Sequence, residues 1–193
     1  MSDVEVAVVP PVRVPDWEAF SVPEGYRAEV IQGELVVTPG TGVDHGRAQS
    51  RLTVLLAGAV PSGYEPVSGI EWRLDVSGVV AMAPQPDIMV VPRNARGPAI
   101  VQTPLLAVEV LSLSDLSHRL AGGMTRREGK LADYARNGLK DYLEIDLTTD
   151  NPVAIRYELR HRALVEVDRA AGTAVLQADR PFAYEVRPQD LIR

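Results

Sequence analysis

Cysteine is absent from this 193-residue chain, which excludes disulfide staples, thiolate metal sites and thiol nucleophiles, and fits a reducing compartment. Lysine is nearly as scarce: of twenty basic residues all but Lys130 and Lys140 are arginine, so a lysine at any position is an uncommon choice. No apolar run approaches a membrane span. Residues 1–10 also lack the basic start and uninterrupted apolar stretch of a signal peptide, so a soluble cytoplasmic protein is expected. There is no Gly-x-Ser-x-Gly turn to raise a serine nucleophile and no phosphate-cradling P-loop. Three histidines, at 45, 118 and 161, have no close metal-ligand spacing. A large basic surface is missing too, since the formal net charge is −6. Any contact with nucleic acid must therefore be local rather than a non-specific coat.

What is present is 46 % hydrophobic content in a length that buries one continuous core. A single domain is expected over residues 16–193, after an extended arm at 1–15 in which Pro10, Pro11 and Pro15 disfavour a helix. Asp16 can cap a helical turn ending at Phe20. Residues 26–38 read as a hairpin about the turn Gln32-Gly33. Asp44 can cap a helix running to about Ala59, with Gln49, Leu52, Leu56 and Ala59 on one face. Strands are expected near 65–68, 70–76, 79–82, 86–91 and 105–111, then a flexible serine-bearing loop at 112–117. A helix at 124–137 places Leu131, Tyr134 and Ala135 on its apolar side and Arg126, Arg127, Lys130 and Asp133 on its polar side. A strand at 142–147 and a β-meander from 153 to 186 complete an α+β order, two principal helices against one mixed sheet.

Two of the apolar strands each contain one acid, Asp87 in Pro86-Asp87-Ile88-Met89-Val90-Val91 and Glu109 in Ala107-Val108-Glu109-Val110-Leu111. An ionised carboxylate inside an apolar strand loses its hydration unless a cation compensates, so each position calls for one. Acids on neighbouring strands can share a hard divalent ion such as Mg²⁺.

The ordered set made by residues 26–35, His45 with Gln49, Pro86-Asp87-Ile88, residues 107–112, residues 130–138 and residues 142–146 resembles the Uma-type restriction-endonuclease-like family. The resemblance covers roughly residues 16–160. It implies a PD-(D/E)XK nuclease fold and cleavage of nucleic-acid phosphodiesters, DNA favoured, with Mg²⁺ or Mn²⁺. Carried over, Asp87 and Glu109 become the metal-binding acids and Glu29 a further acid from the early strand. The parent motif has lysine two positions after the second acid, a slot held here by Leu111. The Uma-type pattern offers Lys130 from the following helix instead.

On that reading Lys130 orients the attacking hydroxide or stabilises charge in the transition state. His45 and Gln49, at a helix N-terminus, and Arg126 and Arg127, before Lys130, would contact phosphate. The rival is a catalytically inert nuclease fold serving as a binding or regulatory module. A small-molecule phosphodiesterase ranks third. Homodimerisation is expected from base rates alone.

Overall fold

The computed structural model describes residues 11–193. The chain forms the helix α1 (Val14–Ala19), the strands β1 (Tyr26–Ile31) and β2 (Glu34–Pro39), the helix α2 (Val43–Ala59), and the strands β3 (Tyr64–Val67), β4 (Glu71–Trp72), β5 (Leu74–Val76), β6 (Val79–Met82) and β7 (Ile88–Pro92). There follow β8 (Ala99–Ile100), β9 (Leu106–Leu111), the helices α3 (Leu113–Ser117) and α4 (Arg126–Arg136), the strands β10 (Asp141–Asp146), β11 (Val153–Arg160), β12 (Ala163–Ala171), β13 (Leu176–Ala178) and β14 (Tyr184–Val186), and a 3-10 turn at Pro188–Leu191.

Six strands make the central sheet, in the order β12-β11-β10-β9-β7-β3. Only β9 and β10 run parallel within it, joined by the crossover that contains α3 and α4. Alternation along the strands divides the core into two layers. Ile88, Val90, Leu106, Val108, Val110, Leu143 and Ile145 face α2 and the β13-β14 hairpin. Met89, Val91, Ala107 and Tyr142 face the other way, with Tyr134 of α4 and Trp72. Every residue of β9 is buried, as its nearly unbroken apolar sequence requires of a strand covered on both faces. By the same alternation Asp87 and Glu109 belong to the α4 side. The acids thus lie beneath a helix.

The β1-β2 hairpin is a separate two-stranded unit. Its Gln32-Gly33 loop has φ of +53° and +79° at its two residues, the sign pattern of the tight turn that matches strand twist. A non-glycine at the first position is held by its contacts. Gln32 N donates to Asp133 Oδ2 at 2.8 Å, and Gln32 Nε2 donates to Asp133 Oδ1 at 2.7 Å and to the Gly129 carbonyl at 3.1 Å. These bonds fasten the hairpin to α4.

Several expectations need correction. The first ten residues of the expected arm lie outside the described residues, but its remainder is not loose. Val80 N donates to Val12 O at 2.8 Å and Val14 N to Gly78 O at 3.0 Å, and α1 begins at Val14 with Arg13, not Asp16, at its N-cap. Similarly, α2 is capped at Gly42 rather than Asp44. The expected strand at 70–76 is broken into β4 and β5, and the C-terminal meander joins the main sheet only through β11 and β12, while β13 and β14 form their own hairpin. The loop expected at 112–117 is the helical turn α3. Its capping box has Ser112 N and Ser112 Oγ donating to Asp115 Oδ2 at 2.8 and 2.6 Å.

In α4, Arg126, Lys130 and Asp133, expected on the polar side of the helix, are all buried. A second capping box starts this helix: Thr125 N donates to Glu128 Oε2 at 2.7 Å and Glu128 N to Thr125 Oγ1 at 3.1 Å. From that start Arg126, Lys130 and Tyr134, spaced four apart, all point inward. Gly129 permits the approach. A Cβ there would lie 2.5 Å from Leu120 Cδ1 and 2.8 Å from Ile31 Cγ2. The substitution Gly129→Val should therefore overpack this contact by about 2–3 kcal/mol and lower Tm by about 5–10 °C. A calorimetric melt unchanged from wild type would refute the close-packing role.

Candidate active site

Glu29, Asp87, Glu109 and Lys130 converge between the hairpin, the sheet and α4, each at least 95 % buried. Lys130 Nζ lies 2.9 Å from Glu109 Oε1 and 2.9 Å from Glu29 Oε1. Tyr134, one turn further along α4, donates its hydroxyl to the same Glu109 oxygen. That phenol is fixed by a row of rings, stacked on Trp72 at 5.5 Å and tilted against Tyr142 at 5.8 Å between centroids. Burial and the adjacent Glu109 raise Tyr134 well above the ordinary tyrosine range, so it stays a donor.

Asp87 is gripped from several directions. His45 Nε2 is 2.9 Å from its Oδ1, Arg27 Nη1 donates to the same oxygen at 3.5 Å, and Val110 N donates to Oδ2 at 2.7 Å. Gln49 Nε2 holds the backbone by donating to Asp87 O at 2.7 Å. His45 and Gln49, one turn apart on α2, therefore both orient this acid. The other ring nitrogen of His45, Nδ1, is buried without a partner. His45 also lines a cleft of about 470 Å³ beside Gly42, Ser112 and Ser114, at the N-terminus of α2.

Glu29 accepts from Gln85 N at 2.8 Å and from Arg126 Nε at 3.0 Å. Arg126 pairs with Asp115 as well, linking β1 to α3. Its guanidinium is shut off from solvent, which does not suit the expected grip on phosphate. Arg127 points away from the acids. Its Nε and Nη2 reach Glu144 Oε2 and Oε1 at 2.6 and 2.9 Å, and Nη2 donates to Tyr157 OH at 2.7 Å.

The three acids differ electrostatically. Burial alone would raise Glu29, but Lys130, Arg126 and Arg27 outweigh it and hold the carboxyl at about 2. For Asp87 burial is likewise overcome, by the hydrogen bond from His45 and by the charges of Lys130 and Arg27, so its carboxyl falls below the usual range. Glu109 goes the other way. Burial, reinforced by repulsion from Asp87 and Glu29, exceeds the help from Lys130 and raises it. Counting Asp115, the cluster holds four carboxylates against the fixed cations Arg27, Arg126 and Lys130. With all four ionised one negative charge would be left over, and Glu109, which resists ionisation, is the carboxyl that would carry it.

Sequence reasoning missed Arg27, Tyr134 and Asp115. Strand and helix periodicity could have supplied the first two: Arg27 is two residues before Glu29 on the same face of β1, and Tyr134 is four after Lys130 on α4. Asp115 is marked by the Ser-x-x-Asp spacing of a capping box.

The model of the family described as "Uma2: Putative restriction endonuclease" matches residues 14–186. Among solved structures, the fold is similar to the crystal structure of "a putative nuclease belonging to DUF820" from Anabaena variabilis, with a TM-score of 0.69, 14 % identity, and coverage of 94 % of this chain and 98 % of that one. At that identity the likeness concerns the fold alone, and it agrees with the expected α+β class. No curated protein matches the chain. Among the described residues no helix is long and apolar enough to cross a membrane.

Proposed function

The chain belongs to the Uma2 family of restriction-endonuclease-like proteins, and from that membership we propose that it is a Mg²⁺- or Mn²⁺-dependent endonuclease hydrolysing phosphodiester bonds, with DNA favoured by the family's description. The observation that carries this reading is the placement of Lys130 Nζ 2.9 Å from Glu109 Oε1. The lysine absent from position 111 is delivered by α4 to the same carboxylate.

The residues fit a divalent ion. Mg²⁺ needs only one or two protein carboxylates and keeps waters in its remaining positions. Asp87 and Glu109 supply hard oxygens, and a bound cation would favour the ionised form of Glu109 that burial opposes. Among the described residues no three His, Asp or Glu side chains form a ready-made cage, so the proposed set is the two acids. When bound, the ion would lower the pKa of a coordinated water and neutralise charge on the scissile phosphate.

The chain's own groups do the rest. Glu29 pairs with Lys130 and aims it at Glu109, where the ammonium can donate to the attacking oxygen or to the oxygens that gain charge. Arg126 anchors Glu29 in turn and is a positioning residue. His45 and Gln49 fix Asp87, and the cleft beside His45, at the N-terminus of α2, suits a neighbouring phosphate of the strand. Arg127 braces α4 against Glu144. Cutting both strands of a duplex calls for two such centres, which a homodimer would provide.

Purified protein with Mn²⁺ should nick supercoiled plasmid, and Asp87→Ala and Glu109→Ala should each reduce nicking by at least about 10³-fold. Nicking equal to wild type in both variants would eliminate this centre. A second reading, an inert nuclease fold used for binding, is favoured by the pairing of Lys130 and Arg27 with the acids, which already offsets much of their charge. Calorimetric titration separates the two. Absence of any Mn²⁺ binding that depends on Asp87 and Glu109 would favour the inert module.

A further inference from the structure

The acids of the centre differ in how their oxygens are occupied. Both oxygens of Glu29 are taken: Oε1 accepts from Gln85 N at 2.8 Å and lies 2.9 Å from Lys130 Nζ, and Oε2 accepts from Arg126. Asp87 has His45 and Arg27 on Oδ1 and the Val110 amide on Oδ2. On Glu109 both donors crowd one atom. Lys130 Nζ, at 2.9 Å, and the Tyr134 hydroxyl both donate to Oε1, which fills its two lone-pair positions. Among the described residues no donor reaches Oε2, and that oxygen is not one of the solvent-sealed polar atoms left without a partner. Oε2 therefore meets water, within the 3 % of Glu109 that remains exposed.

The two donors on Oε1 are not equivalent. Lys130 divides its ammonium between Glu109 and Glu29 on a flexible stem. Tyr134 has no such freedom. Its ring is fully buried, stacked on Trp72 at 5.5 Å and tilted against Tyr142 at 5.8 Å, so only the hydroxyl hydrogen can turn. Among the described residues that hydroxyl has Glu109 as its one partner. An ion that took Oε1 as well as Oε2 would have to displace it, leaving a buried donor unsatisfied.

We propose that Tyr134 is a positioning residue that disfavours Ca²⁺ at this centre, by reserving Oε1 of Glu109 and leaving Oε2 alone for the ion. Ca²⁺ fills about six to eight positions and often takes a carboxylate through both oxygens, whereas Mg²⁺ demands an octahedron and keeps several waters. A Glu109 restricted to Oε2 suits Mg²⁺ and denies Ca²⁺ a ligand. Tyr134 has this role only if Asp87 and Glu109 are the metal ligands, as proposed above.

Titration calorimetry of the full chain with Mg²⁺ and with Ca²⁺ at millimolar concentration, without nucleic acid, tests this role. Tyr134→Phe keeps the ring and removes the hydroxyl, and it should raise the ratio of Ca²⁺ to Mg²⁺ affinity by about 10-fold. Tyr142→Phe is the control from the same row of rings. Its hydroxyl serves Glu144, 3.4 Å away, so the ratio should stay at the wild-type value. Infrared difference spectra supply a readout that does not need Tyr134→Phe to fold. With the Glu109 bands assigned by their loss in Glu109→Gln, wild type should show a carboxylate bound through one oxygen with either ion. A two-oxygen pattern in wild type with Ca²⁺ would overturn the proposal. So would an unchanged ratio in Tyr134→Phe, or an equal rise in Tyr142→Phe. If metal binding is then still lost in Asp87→Ala and Glu109→Ala, the metal centre itself stands. Failure of wild type to bind either ion would remove both the centre and the role of Tyr134.

Discussion

Lys130→Met should lower plasmid nicking by about 10²- to 10³-fold, the usual loss when a preorganised donor is removed from a reacting centre. Its effect on stability carries more information. Lys130 is buried between Glu29 and Glu109, and deleting one partner of a buried ion pair leaves the other charge uncompensated at a cost of about 3–5 kcal/mol. Methionine fills the volume of the lysine stem, so the loss is attributable to charge rather than to a cavity. The cluster then carries a larger negative excess than in wild type. A divalent ion should consequently raise Tm more in the variant than in wild type, by linkage to tighter binding. Lys130→Arg should retain most of the stability and little of the activity, because a planar guanidinium cannot place its donors as a single ammonium does. The measurements are nicking rates and calorimetric melts with and without Mn²⁺. A Lys130→Met protein that nicks and melts like wild type would remove Lys130 from the centre altogether.

How much of this site was legible before the structure depended on the kind of regularity involved. Asp87 and Glu109 stood out because an acid within β-branched, apolar sequence contradicts its surroundings, and the alternation that places both on one face of the sheet is a property of strands. The Gln32-Gly33 turn was readable for a similarly local reason. The buried face of α4 was not. Arg126, Lys130 and Asp133 look like a polar stripe because hydrophobic periodicity scores charges as outward, whereas here each finds a counter-charge or donor supplied by β1, β9, α3 or the Gln32 turn. Those partners are distant in sequence: Arg126 and Glu29 are separated by 97 residues. No local pattern encodes such a pairing. Likewise the order of the sheet, with β7 beside β9 and β9 beside β10, follows from packing two layers of helices and hairpins, and it is this order that brings Asp87 to the Val110 amide.

The same reasoning makes Arg126 the residue on which the architecture of the centre depends most, although it need not touch substrate. It is fully buried and pairs with Glu29 on one side and Asp115 on the other. Arg126→Met leaves the buried Asp115 without its counter-charge and Glu29 with Lys130 alone, so the expected loss is about 3–5 kcal/mol. That is a large part of the stability of an ordinary domain. Neutralising the partners should restore much of it: the triple variant Arg126→Met, Glu29→Gln, Asp115→Asn replaces a charged triad with groups that no longer repel one another. Recovery of about 1–3 kcal/mol relative to Arg126→Met alone, measured by urea denaturation, would express the coupling among contacting sites. Activity should not return with stability. Glu29→Gln leaves Lys130 with only Glu109 to direct it, and Asp115→Asn weakens the cap that sets α3 beside the His45 cleft. A triple variant that regains both stability and nicking would show that the triad merely fills space. One that regains stability alone would assign Arg126 and Glu29 the task of aiming Lys130.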